Sequence, residues 1–160
     1  MNIKYQIALH LIDVHKGNNW TGINIFNTLK EVSWVQASMI TPVSPNSISM
    51  ILHHITYWNR VVAQRGLGIE PEINPENGMN VPIITNQTDW QALLQDNLHS
   101  AEELATIIEG YDMGSLFNPI LPGQSSAYRT FQGQVEHIYY HLGQIKMIIN
   151  YLENVKAGNV

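Results

Sequence analysis

Apolar positions follow a helical period in four long stretches of the chain. From about Tyr128 to Glu153, Phe131, Val135, Ile138, Leu142, Ile145, Ile149 and Leu152 alternate steps of four and three, the seam of a helix in an antiparallel bundle. From Asp89 to about Glu109, the stripe is Trp90, Leu93, Leu94, Leu98, Ala101, Leu104, Ala105 and Ile108. From Ser47 to about Arg65 it is Ile48, Ile51, Leu52, Ile55, Trp58 and Val62. Asn2 to about His15 reads as the first long helix, and a shorter piece, Ile23 to about Met39, joins it to the next.

The breaks between these stretches are well marked. Gly17-Asn18-Asn19 ends the first, and Pro42 and Pro45 precede the second. Residues 66–86 hold Pro71, Pro75 and Pro82 among several Gly and Asn, an irregular crossover, and 111–124 form another loop. Asn46 or Ser47 is placed to cap the second long helix, and Thr88 with Gln91 fits a capping box for the third. Only Val81-Pro82-Ile83-Ile84 has any strand character, and its proline confines it to an edge. The expected fold is all-α: a four-helix bundle with a long crossover between helices two and three. It forms a single domain over 1–155, with 156–160 as a disordered tail.

Composition narrows the function classes. A chain of 160 residues with 44% hydrophobic residues can bury a core of its own. Charged residues are only 13%, and Asn and Gln take up the difference. Eight basic residues stand against thirteen acidic, a net charge of -5 with no basic cluster, so nucleic acid is not an expected partner. The absence of cysteine removes disulfides, thiolate metal sites and cysteine nucleophiles. No apolar run is long enough for a membrane helix, and the N-terminus lacks a signal-peptide layout, so a cytoplasmic location is expected.

Seven histidines then carry the candidate chemistry. On an ideal helix His141 falls about 60–70° from the apolar seam of the last helix and His137 about 100° to the same side. One turn apart, both rings can reach one point. On the second long helix His54 lies at the edge of the apolar stripe, whereas His53 points away from it. Two histidines at i and i+4 with a third from another helix suit zinc, nickel, copper or iron, and three ligands leave positions open. The other histidines have ordinary explanations: His99 solvated, His15 a cation complementing a helix C-terminus, His10 buried in the core. Trp20, Trp34, Trp58 and Trp90 read as core and loop packing. Gly-rich phosphate loops, a Gly-x-Ser-x-Gly elbow and a His-Glu-x-x-His motif are all absent, and no general base stands out beyond the histidines.

These same residues resemble the DinB-like (YfiT-like) superfamily of bacterial helical proteins. Asn19-Trp20-Thr21-Gly22 resembles the family's connection after the first helix. The segment from Ser47 to Trp58 is similar to its second helix, and Glu136-His137-Ile138-Tyr139-Tyr140-His141-Leu142-Gly143-Gln144-Ile145, after Pro122-Gly123, to its last. The resemblance implies a divalent metal, zinc or nickel, on His54, His137 and His141, with open positions. The chain departs from the family pattern at His53, often a small residue there, which makes His53 a rival to His54.

The resemblance also implies an unknown small-molecule substrate with a low-molecular-weight thiol as partner, and S-transferase, isomerase or hydrolase chemistry. The alternatives are a non-catalytic, stress-related metal-binding bundle acting through a partner, and a plain helical interaction domain. Ile148 and Tyr140, outside the main seam of the last helix, suggest apolar surface to spare and hence a homodimer.

Overall fold

In the computed structural model, which describes residues 2–158, the chain is all-helical, with no strand among the described residues. Its helices are α1 (Ile3–His15), α2 (Ile25–Leu29), α3 (Trp34–Ser38), α4 (Ile48–Gly66), α5 (Gln87–Gly110) and α6 (Ala127–Lys156), with one 3₁₀ turn at Met113–Ser115. Each α-helix opens on an uncharged polar cap. The side chains of Asn2, Asn24, Ser33, Ser47, Asn86 and Ser126 accept from backbone N–H groups of the first turn. A chain with few charges thus satisfies its helix starts with amide and hydroxyl oxygens.

The apolar stripes are the core. Every residue of the α6 seam is buried, as are Ile48, Ile51, Leu52, Ile55 and Val62 of α4. Trp90, Leu93, Ala101, Leu104, Ala105 and Ile108 of α5 join them, with Ile7, Leu11 and Val14 of α1. Both α5 and α6 pack on α4 and on α1, and the buried apolar residues form one cluster. Their directions follow from side-chain pairs. Thr56 meets Asn97 and Asn59 meets Ser100, so α4 and α5 run the same way. Asn59 meets Gln134, and Gly66 lies against Phe131, so α6 runs opposite to α4. Parallel neighbours need a connection as long as the helix, which residues 67–86 supply.

A polar chain threads this interior. The Asn59 amide donates to Ser100 Oγ (3.0 Å), approaches His15 Nε2 (3.3 Å) and accepts from Gln134 Nε2 (2.8 Å). The Ser100 hydroxyl donates to the Asn97 carbonyl, and Asn97 Nδ2 donates to the Thr56 hydroxyl. Asn59, Asn97 and Ser100 are at most 2% exposed, and Gln134 is 3% exposed, so each must find its partners inside. Asn59 touches all three other long helices.

Several sequence expectations need correction. The single piece from Ile23 to Met39 is two short helices, α2 and α3, parted where Ser33 starts a capping box with Gln36. The cap of α5 is Asn86, not Thr88; Asp89 closes it by accepting from the Thr85 N–H and hydroxyl. Residues 81–84 form no strand. Helix α6 reaches Lys156, so the expected tail is shorter, and Asn159 and Val160 lie outside the described residues.

Trp20 is fully exposed, because the turn at 18–22 projects from the molecule, and Trp34 is only partly buried against the core. His10 is exposed, its ring beside Tyr139. Ile148 is buried, so it adds nothing to a free surface, whereas Tyr140 is exposed.

His15 is no surface cation. It is 2% exposed, its Nδ1–H donates to the Leu11 carbonyl (2.8 Å), and burial, with Lys16 adding a smaller repulsion, lowers its pKa to about 4. The unfolded chain therefore takes up a proton near pH 6.5 that the folded chain refuses until about pH 4. Stability is unaffected above pH 6.5 and falls as pH drops through that window, by at most roughly 1.4 kcal/mol per pH unit for this one group. Urea midpoints from pH 7.5 to 4.5 should fall less steeply in His15→Gln than in the parent. Equal slopes would show that His15 titrates normally. At pH 7.5, Asn59→Ala should cost about 1–3 kcal/mol by the same measurement, since Gln134 loses a buried acceptor and Ser100 a buried donor.

Candidate metal centre

Three imidazoles meet where α4 and α6 face each other. His54 comes from α4, and His137 and His141 from successive turns of α6. The His137 Nε2 lies 3.0 Å from the His54 Nε2 and 2.9 Å from the His141 Nε2. His54 is 3% and His141 6% exposed, while His137 is half-buried.

The outer nitrogens decide what the inner ones can do. His54 Nδ1–H donates to the Asn77 carbonyl (2.5 Å), and His141 Nδ1–H donates to Gln144 Oε1 (2.8 Å). Both rings, when neutral, therefore turn an unprotonated Nε2 inward. A neutral His137 brings at most one proton to its own Nε2. That proton can satisfy one contact only, and the other sets two lone pairs face to face. A divalent ion accepts all three lone pairs at once. Two nitrogens on one tetrahedral zinc stand roughly 3.3–3.4 Å apart, so the two spacings at His137 need to open by only a few tenths of an ångström. The donor set therefore fits a metal ion, with each outer bond fixing ring orientation and tautomer.

Electrostatics keep the donors ready. Burial lowers the pKa of all three rings. For His137 the neighbouring His141 and His54 lower it further, to about 4; for His54, His53 adds to the effect, and for His141, His54 does. Neutral imidazole thus persists below pH 6.5, and metal affinity should hold further into acid than free imidazole would allow.

The crossover supplies what the sequence did not reveal. In Glu76-Asn77-Gly78-Met79, the Met79 N–H returns to the Glu76 carbonyl (2.9 Å), and Asn77 and Gly78 have φ of 54° and 74°. These left-handed central residues are those for which Asn-Gly is favoured. Four side chains of α4 hold this turn. His54 takes the Asn77 carbonyl, His53 Nδ1–H donates to the Gly78 carbonyl (2.7 Å), Trp58 Nε1–H donates to Asn77 Oδ1 (3.0 Å), and the Tyr57 hydroxyl accepts from the Asn74 N–H (3.0 Å). His53 is therefore committed to the loop and stands outside the histidine cluster.

His99 is exposed beside Glu103 (3.1 Å). Trp58, expected as core, is a half-buried wall of the site, with its ring 6.4 Å from His54 and 6.1 Å from His137. The Asn-Gly dipeptide was the one signal that could have located the turn; its docking on His54 is a long-range contact that no local pattern encodes.

No protein-family model, curated protein or solved structure matches the chain. No described helix is long and apolar enough to cross a membrane.

A side chain at position 78 would strain the positive φ and place its Cβ 2.6 Å from Tyr57. Gly78→Val should therefore loosen the outer bond on His54 and weaken zinc binding about 10–100-fold, read by competition with a chromophoric chelator. Unchanged affinity would show that the turn does not orient His54.

Proposed function

We propose that this chain is a DinB-like divalent-metal protein: a four-helix bundle with a crossover between its second and third long helices, holding zinc or nickel on His54, His137 and His141. The observation that carries the reading is the convergence of three imidazole Nε2 atoms, two of them fixed as lone-pair donors by bonds on the far side of the ring. The residues quoted for the DinB resemblance supply the cluster: His54 lies in the helix similar to the family's second, and His137 and His141 in the one similar to its last.

Bound there, a divalent ion supplies Lewis acidity, which brings a thiol or water toward ionisation near neutral pH. The chain's own residues do the rest. Three neutral donors leave the ion its charge, because no carboxylate belongs to the described cluster. Trp58 walls one side. The reaction we infer is thiol-dependent transfer, or hydrolysis, on a small molecule. We also propose a homodimer through the outer face of α6, where Tyr140 and Met147 are 64% and 61% exposed two turns apart. A monomer mass by light scattering at micromolar protein would refute the dimer.

Metal analysis should find one divalent ion per chain. His137→Ala or His141→Ala should abolish stoichiometric binding, while His53→Ala and His99→Ala should keep it; retention by the His137→Ala, His141→Ala double variant would reject the centre. The loaded protein should then accelerate transfer of a low-molecular-weight thiol to an electrophile. Metal binding with no turnover across a panel of thiols would assign the chain to non-catalytic metal-binding proteins.

A further inference from the structure

Beside the histidines the groove between α4 and α6 opens into a cavity of about 250 Å³. Trp58, Val62 and Arg65 of α4 and Gly133, Gln134 and His137 of α6 form its walls. The two helices contribute matching turns, since Arg65 follows His54 by eleven residues and Thr130, at the rim, precedes His141 by eleven.

Most hydrogen-bond donors in these walls are already engaged. The Trp58 indole N–H is held by Asn77, Gln134 Nε2 by Asn59, and the Thr130 hydroxyl by the Ser126 carbonyl. His137 Nε2 is taken up by His54 and His141. Arg65 is the exception. Its side chain is 19% exposed, its Nε–H is buried without a hydrogen-bond partner, and Glu70 Oε1 is 3.7 Å from its Nη2, beyond hydrogen-bond reach. That glutamate is itself 59% exposed and accepts from Gln124. The guanidinium carbon lies 5.8 Å from the centroid of the Trp58 ring. The guanidinium is kept largely out of water, and Glu70 stands too far off to hydrogen-bond it, so its terminal N–H groups are what an anion in the groove can meet, and their planar fork matches a carboxylate.

The remaining walls are apolar or open. Trp58 offers a flat ring, Val62 an aliphatic surface, and at Gly133 an added Cβ would meet nothing within 4 Å. The volume falls below the roughly 300–1,000 Å³ of sites for drug-sized ligands, so the occupant is small. We propose that the cavity binds a small organic carboxylate, its carboxylate on Arg65, its planar or apolar body along Trp58, and its far end at His137. As the substrate subsite of the metal centre this rests on the function proposed above; as a binding site it stands on Arg65 and the cavity alone.

Benzoate is a suitable probe, with benzamide as its uncharged counterpart, titrated by calorimetry into the full chain both metal-free and zinc-loaded. Benzoate should bind both forms, with benzamide at least about tenfold weaker. Arg65→Met should weaken benzoate roughly 10–100-fold, with Arg65→Lys intermediate. Gly133→Leu fills the cavity without touching the cation and should block benzoate too, while both Arg65→Met and Gly133→Leu keep the zinc stoichiometry of the parent. Equal binding of benzoate and benzamide, or benzoate affinity unchanged in Arg65→Met and Gly133→Leu, would overturn the proposal. Should the chain bind benzoate through Arg65 yet take up no zinc, the metal reading fails and the carboxylate site stands. Should zinc bind through the three histidines while benzoate ignores Arg65, the carboxylate site fails and the metal reading stands.

Discussion

The bond between Asn59 and Gln134 sets the register on which the histidine cluster depends. Helices α4 and α6 run in opposite directions, so a residue a given distance before Asn59 faces one the same distance after Gln134. His54 lies five residues before Asn59, and the midpoint of His137 and His141 lies five residues after Gln134. Each is about 7.5 Å along its helix from the bond. A slip of one turn, about 5.4 Å, would leave Gln134 Nε2 and Asn59 Oδ1 buried without each other and carry His54 past the other two rings. Apolar side chains alone would tolerate that slip more readily, because an Ile–Leu interface resists sliding only through shape. Through Ser100 and His15 the same asparagine also ties α5 and α1 to this register.

The seam of α6 was legible to the residue, because seven apolar positions with one period admit one buried face. The stripes of α4 and α5 were nearly as clear, and the i, i+4 pair on α6 with an edge histidine on α4 was enough to name the three members of the cluster. What escaped was decided by partners distant in sequence. His10 and His15 illustrate this. The period of α1 put His10 inside and left His15 at an exposed end, yet Asn59, forty-four positions away, draws His15 into the core. The choice of His54 over His53 rested on stripe geometry and on the DinB resemblance, and the turn that occupies His53 shows why the two neighbours differ.

The polar amides serve two ends in one chain. At helix starts they replace the charges that the composition lacks, and in the interior they replace apolar contacts where direction is required. Trp58 joins the two, because one face of its ring belongs to the histidine site and its indole N–H to the crossover. Burial of the site and placement of the loop are therefore one packing problem.

That α4 and α5 run the same way has a kinetic side. The bonds between them, Thr56 with Asn97 and Asn59 with Ser100, each join residues 41 positions apart, and such contacts form only after the intervening chain has lost its freedom. The turn at 76–79 divides that search. Its bonds to Trp58, His54 and His53 span 19, 23 and 25 positions, and that of Asn74 just before it to Tyr57 spans 17, so the first half of this connection can close on α4 before α5 arrives. Two moderate closures are thereby available where one long one would otherwise be needed, and the residues that make the first are those that frame the histidines.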